Sequence, residues 1–277
     1  MRESAQLAIV ALLGTASLTS IAYLIARPPS PARLAGRIGP IPSLGRWAYW
    51  VSRPFLRAII GVRITANGMT TIGLGLTLVA AGFAAVGAWG WAGFVLVFGA
   101  WCDLFDGEIA RQTGTQSPAG AFLDSNLDRI SEIVLFAGFA MAFTDRLGVF
   151  WSFWATASSL MVSYARARGE GLGVACPTFG LERPHRVVAV MFALLAAAFV
   201  PEPHATTLMR WVTAAVALGA TGTAAARLWV IHRMLIRAEP PKVEPGARAP
   251  AAPAAPVPSV PSVPPPARSP VAPPRTP

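Results

Sequence analysis

The stretch Asp103-Leu-Phe-Asp106-Gly107-Glu-Ile-Ala110-Arg111, followed after eight residues by Gly120-Ala-Phe-Leu-Asp124-Ser-Asn-Leu-Asp128, decides how the chain is read. Four aspartates gather here, inside a region that otherwise has the composition of lipid-facing helix. Asp103 and Asp106 are three residues apart and Asp124 and Asp128 four, so each pair shares a helix face. Gly114 and Pro118 bracket a turn near Thr115. Asp106 and Asp124 are equally far from that turn, and Asp103 and Asp128 nearly so. An antiparallel hairpin therefore brings all four to similar depths on facing surfaces, which is a metal site in outline.

The surrounding composition supports a bilayer setting. The 277 residues are 54% hydrophobic and only 13% charged, against roughly 25% charged in soluble domains. The formal net charge of +10 could suggest nucleic acid, but the arginines cluster between hydrophobic spans. Anionic headgroups and phosphate-bearing substrates are the partners this distribution suits, and no nucleic acid is expected. Cys102 and Cys176 form neither a zinc spacing nor a disulfide framework.

Ser4 to Ala26 reads as a spanning helix, because its apolar run is too long for a signal peptide. Arg27, Arg33, Arg37 and Arg46 follow it and mark a cytoplasmic end. From Ser43 to Val62, arginines alternate with Trp47, Tyr49, Trp50 and Phe55, the mixture of a helix lying in the headgroup plane. Pro54 is expected to kink or restart it. Six spans follow, near 68–88, 91–113, 118–143, 148–167, 185–201 and 206–232. Links carrying Arg63, Arg111, Arg166, Arg168, Arg183 and Arg186 alternate with links of almost no net charge. The carboxylate turn is therefore expected on the cytoplasmic side and the N-terminus outside.

The fold class is all-α: a polytopic membrane protein with a six-helix core, an interfacial amphipathic helix and one additional N-terminal transmembrane helix. Residues 1–42 form that first helix and its linker, 43–237 the core domain, and 238–277 a Pro/Ala-rich tail expected to be disordered and cytoplasmic.

Depth explains why the carboxylates need a cation. Asp103 lies about 12 residues into its span, roughly 18 Å at 1.5 Å per residue, past the middle of a hydrocarbon core of about 30 Å. A charged Asp there costs about 2.5–3.5 kcal/mol, and four would repel one another. A divalent metal answers both problems, and hard oxygen ligands favour magnesium, with manganese as a substitute. Arg111 and Arg129 are the arginines at hand for a plain ion-pair role instead.

The pattern Asp-x-x-Asp-Gly-x-x-Ala-Arg, eight residues, Gly-x-x-x-Asp-x-x-x-Asp resembles the signature of the CDP-alcohol phosphatidyltransferase family. Asp103, Asp106, Gly107, Ala110, Arg111, Gly120, Asp124 and Asp128 occupy its fixed positions, and a weaker likeness runs from about Val51 to Leu235. The resemblance implies transfer of a phosphatidyl group, or another phosphoalcohol, from a CDP-linked donor such as CDP-diacylglycerol to an alcohol, with release of CMP. It implies metal ligation by Asp103, Asp106 and Asp124, with Asp128 at the metal site as general base. It places Gly107, Ala110, Arg111 and Gly120 against the donor. Asn67-Gly-Met-Thr70-Thr71 resembles the family's Pro-Asn-x-x-Thr entry with Ala66 in place of Pro, so Asn67 and Thr70 are donor contacts, as is Ser117. Read alone, Asn67 is a helix cap.

Ser163-Tyr-Ala-Arg166-Ala-Arg168-Gly-Glu170, then Leu181-Glu-Arg183-Pro-His-Arg186, resembles the branch that makes phosphatidylinositol phosphate and its archaeal ether-lipid counterpart. Arg166, Arg183, Arg186 and Arg227 are then ligands for the acceptor's phosphate, although Arg166 stands where Lys is common. Glycerol phosphate or another polyol is the alternative acceptor, and an ion transporter using the Asp cluster is the alternative function. His185 and His232 carry no motif. The family implies a homodimer in the cell membrane with its active site facing the cytoplasm.

Overall fold

The structure, a computed structural model, describes residues 1–28, 40–176 and 178–238. Most of the linker after the first helix and the Pro/Ala-rich tail lie outside the described residues. Those that are described form eight helices and no strand: α1 (Arg2–Ala26), α2 (Pro40–Gly61), α3 (Ala66–Ala85), α4 (Trp89–Thr113), α5 (Pro118–Ala142), α6 (Arg146–Gly171), α7 (Arg183–Ala197) and α8 (His204–Ala238). Three of them, α1, α3 and α8, are long and apolar enough by themselves to cross a membrane. Helices α4, α5 and α6 match them in length, but acids in α4, acids and an arginine in α5, and serines, tryptophans and a tyrosine in α6 dilute their apolar runs. The expected span at 185–201 is shorter than read. Helix α7 has 15 residues, about 22 Å at the helical rise, against the roughly 20 residues a bilayer asks for.

Small residues set the packing of the core. Helix α3 lies against both α4 and α5, and Gly73, Thr77, Ala80, Ala81 and Ala84 are buried along it. A Cβ on Gly138 of α5 would stand 2.5 Å from the Ala81 carbonyl oxygen, and one on Gly93 of α4 would stand 2.8 Å from the Leu195 amide of α7. Backbones this close leave room for hydrogen only. Beside these seams Trp89, Phe136, Phe139, Leu194 and Met209 fill one apolar cluster. At the opposite end of the bundle from the aspartates, the Asp145 side chain caps α6 through the Gly148 amide at 2.8 Å. That bond and the nearby Arg210 hold its carboxyl below the usual carboxylate range.

The carboxylate hairpin corrects one expectation. Gly114 ends α4 in the left-handed region (φ 66°), and Ser117 caps α5 with Pro118 in its first turn, so the turn falls where Gly114 and Pro118 place it. Yet α4 and α5 are not packed along their lengths as a closed pair. Helix α3 is wedged against both, which leaves open space between the two acidic faces.

Helix α2 continues through Pro54 without restarting. Its Leu56, Ile59 and Ile60 pack on Met69, Cys102, Phe105 and Ile109, while Arg53 lies over the Tyr49 ring at 5.3 Å. Helix α1 is fastened at its start. Arg2 Nε and Gln6 Nε2 donate to the Ala198 carbonyl at 3.2 and 2.9 Å, and Ile9 is buried against Leu195 and Ala198.

Candidate functional site

The four aspartates surround the space that α3 holds open. Asp106 is buried, and Thr70 of α3 donates to its Oδ2 at 3.0 Å. Asp103 and Asp128 share one cation, Arg183 Nη1, at 2.8 and 2.7 Å. Asp124 lines the cleft between these two arrangements. Arg111 and Arg129, the arginines that sequence offered as partners, are engaged elsewhere. Arg111 forks onto Glu108 Oε2 at 3.1 and 2.8 Å, and Arg129 donates to the Ser125 carbonyl. The pairing cation comes instead from the first turn of α7.

Among the described residues, no group of three or more His, Cys, Asp and Glu side chains converges as a closed ligand set. The donor set still fits a hard divalent ion. It is all carboxylate oxygen, it surrounds open space, and one guanidinium serves two of its four members.

Two cavities meet at this cluster. The first is lined by Asn67, Thr70, Asp106, Gly107, Ala110, Arg111, Ser117, Gly120 and Asp124, together with Ala66, Thr115, Gln116 and Ala121. All seven residues expected to touch the donor are therefore on one wall system. The cap of α3 is Thr65, which accepts from the Gly68 amide at 3.1 Å. This corrects the capping role read for Asn67 and releases its side chain towards Gly120, where a Cβ would stand 3.4 Å from Asn67 Oδ1. Ser117 Oγ accepts from the Gly120 amide at 3.0 Å, so Ser117 both starts α5 and faces the cavity.

The second cavity is lined by Asp124, Asp128, Arg129, Ser163, Arg166, Glu170, Glu182, Arg183 and Arg227, among others. Three of the four expected acceptor arginines line it. Arg186 does not. It is 1% exposed and forks onto Glu132, Nε to Oε1 and Nη2 to Oε2 at 2.9 Å each, while Nη1 donates to the Leu181 carbonyl. A guanidinium buried in this way, with three of its five donors on Glu132 and Leu181, joins α7 to α5 away from the cavity. Arg227 is also buried, with Nη2 on Glu182 Oε1 at 2.6 Å and Nη1 on the Val162 carbonyl at 3.1 Å. Arg166 pairs with Glu170 at 2.9 Å near the surface.

Sequence reading missed Glu108, Glu132 and Glu182. Glu108 receives the Tyr49 hydroxyl of α2 at 3.1 Å as well as Arg111. Its position three before Arg111 is the signal that could have found it. Glu132 is one turn beyond Asp128 on the same face, and nothing local pairs it with a residue 54 positions away.

Residues 63–220 match the model of the CDP-alcohol phosphatidyltransferase family. The chain belongs to that family. It is a membrane-embedded transferase of phospholipid biosynthesis, from a family that depends on divalent metal. Over 158 residues it is 34% identical to the archaetidylinositol phosphate synthase of Pyrococcus horikoshii, covering 57% of this chain and 83% of the relative. It is 36% identical over 155 residues to the phosphatidylinositol phosphate synthase of Streptomyces avermitilis, covering 54% and 62%. The crystal structure of the Mycobacterium tuberculosis phosphatidylinositol phosphate synthase with CDP-DAG bound superposes with a TM-score of 0.60 at 28% identity, covering 66% of this transferase and 94% of that chain. The same enzyme in complex with manganese and citrate also gives 0.60 at 28% identity, covering 65% and 88%.

Proposed function

We propose that this transferase moves the phosphatidyl group of CDP-diacylglycerol to a hydroxyl of inositol phosphate and releases CMP. The observation that carries the reading is the meeting of two chemically different cavities at Asp124. One is lined by small residues and by amide and hydroxyl side chains. The other carries Arg166, Arg183 and Arg227, the forked donors that a phosphate dianion recruits. Names of relatives favour the same acceptor, since both are named as synthases of an inositol phosphate lipid.

In this mechanism Asn67, Thr70, Gly107, Ala110, Arg111, Ser117 and Gly120 hold the CDP group and orient its diphosphate toward the aspartates. Asp103, Asp106 and Asp124, with Asp128 beside them, would hold magnesium, or manganese in its place. When bound, the ion neutralises diphosphate charge and makes the phosphorus more electrophilic. The arginines of the second cavity fix the acceptor through its phosphate. Asp128 takes the proton from the attacking hydroxyl as the new P–O bond forms, and the bond to CMP breaks on the far side. The same reading sets domains at 1–42, 43–237 and 238–277, a homodimer in the cell membrane, and an active site facing the cytoplasm.

The test is CMP release by the purified protein from CDP-diacylglycerol, across a panel of inositol phosphate, glycerol 3-phosphate, serine and free inositol. Turnover with inositol phosphate that chelator abolishes and magnesium restores is the expected result. Preference for glycerol 3-phosphate would move the acceptor assignment. Ion flux without nucleotide would remove the enzyme reading.

A further inference from the structure

We propose that α1 forms the outer wall of a groove holding an acyl chain of the CDP-linked donor lipid. The inference rests on the donor assigned above. The groove, about 630 Å³, lies between α1, α2, α4 and α7 and is lined almost wholly by apolar side chains. The region that matches the family model begins at residue 63, and α1 lies before it.

Three observations select an acyl chain of the donor. The first is length: Leu12 and Leu24 of α1 both line the groove, and twelve residues of helix cover about 18 Å, the depth of one leaflet of a hydrocarbon core about 30 Å thick. The second is a stranded donor at the headgroup end. Trp47 lines the groove, and its buried indole Nε1 has no acceptor among the described residues. A buried indole N–H takes a partner when one is in reach, and the ester carbonyl of a glycerolipid supplies one beside the chain it carries. The third is position. Leu104 and Val188 line the groove, one residue past Asp103 on α4 and five past Arg183 on α7. The helices that carry the carboxylate–arginine bridge therefore carry the groove on adjoining faces. A lipid whose diphosphate reaches the aspartates has its chains beside this seam.

The geometry of α1 also provides an entrance. Its start is fixed to Ala198 by Arg2 and Gln6, whereas Leu18 and Leu24 are each 69% exposed. Its other end meets α2 through Tyr23 against Trp50, ring centroids 5.7 Å apart. A helix held near both ends but exposed between them leaves the groove open sideways to the bilayer.

The test uses the full-length protein in phospholipid nanodiscs and CDP-diacylglycerol carrying a diazirine at the end of one chain. After illumination, mass spectrometry locates the adduct. Labelling of the α1 peptide around Leu12 and Ala16 is expected, competed by unlabelled CDP-diacylglycerol and not by phosphatidylcholine. Ala16→Trp fills the groove and loses that label, while Leu18→Trp, on the lipid face, keeps it. Ala100→Phe narrows the groove from α4 and gives the same loss should Ala16→Trp not insert. Labelling absent from α1, or competed equally by phosphatidylcholine, overturns the proposal, the second result marking bulk lipid as occupant. Crosslinking needs no turnover, so a failed transfer reaction would show separately, as wild-type protein that releases no CMP.

Discussion

Arg183 Nη1 stands 2.7 Å from Asp128 Oδ2, and the same nitrogen reaches Asp103 Oδ2 at 2.8 Å. One guanidinium thus ties the proposed base on α5 to a proposed metal ligand on α4. Opposite charges near 4 Å are worth about 1 kcal/mol in water and about 4 kcal/mol at an effective dielectric of 20. The arginine therefore competes with any cation entering the cluster. In Arg183→Gln the competition is gone, and the manganese concentration for half-maximal activity should fall by roughly tenfold, equivalent to 1.4 kcal/mol. Turnover with a phosphorylated acceptor should fall as well, because Arg183 lines the acceptor cavity. A manganese titration of CMP release checks both, and an unchanged metal requirement would disprove the competition.

Asp128 is placed for proton transfer by its position in the acceptor cavity and by its partner. Asp128→Asn keeps the shape and a hydrogen-bonding group but removes the acceptor for a proton. Turnover should fall by about 10²–10⁴-fold, the usual contribution of a general base. Binding of labelled CDP-diacylglycerol should be retained, since the donor cavity does not include Asp128. Substantial residual turnover in the variant would assign the base elsewhere.

What sequence revealed and what it concealed follow from the range of the interactions involved. The turn between Gly114 and Pro118 and the amphipathic face of α2 were legible because each depends on residues near one another in the chain. The donor wall, which joins Asn67 and Thr70 to residues 107–120, was legible only through the family signature. The acidic pairs were legible because helical spacing fixes which side chains share a face. The wedge of α3 between α4 and α5 was not, because it depends on where Gly138 and Ala81 meet across 57 positions of sequence. The roles of the arginines were the least legible. Arg166, Arg183, Arg186 and Arg227 look alike near the ends of apolar runs, and their roles separate only through Glu170, Asp128, Glu132 and Glu182.

That separation gives a paired prediction. Arg166 is near the surface at the acceptor cavity, so Arg166→Ala should raise the KM for inositol phosphate about tenfold, the loss of a charge-assisted contact. The KM for CDP-diacylglycerol should hold. Arg186→Ala should instead unfold the protein at lower temperature, because Glu132 is left buried and unpaired at a cost of about 3–5 kcal/mol. The double variant Arg186→Met with Glu132→Leu should recover much of that stability. Thermal unfolding in detergent and steady-state kinetics separate the two roles. A substrate-specific KM effect in Arg186→Ala at unchanged stability would return that residue to the acceptor site.

The space between the acidic faces depends on Gly138. Any Cβ there meets the Ala81 carbonyl oxygen at 2.5 Å, with the Ala81 carbonyl carbon and Cα at 3.0 Å. All three are backbone atoms that cannot rotate aside, so α5 must move away from α3. Overpacking of this kind costs about 1–3 kcal/mol. The larger consequence is geometric: Asp124 and Asp128 travel with α5, while Thr70 and Asp106 stay with α3 and α4. Gly138→Ala should therefore lower the unfolding temperature modestly and reduce kcat by more than its stability loss explains. A displacement of 1 Å at a reacting centre can cost about 10²-fold in rate. Gly82→Ala, on α3 next to Ala81, is the control, because a Cβ there meets nothing within 4 Å. Equal activity in the two variants at a temperature where both are folded would show that the α3–α5 spacing does not set the geometry of the aspartates.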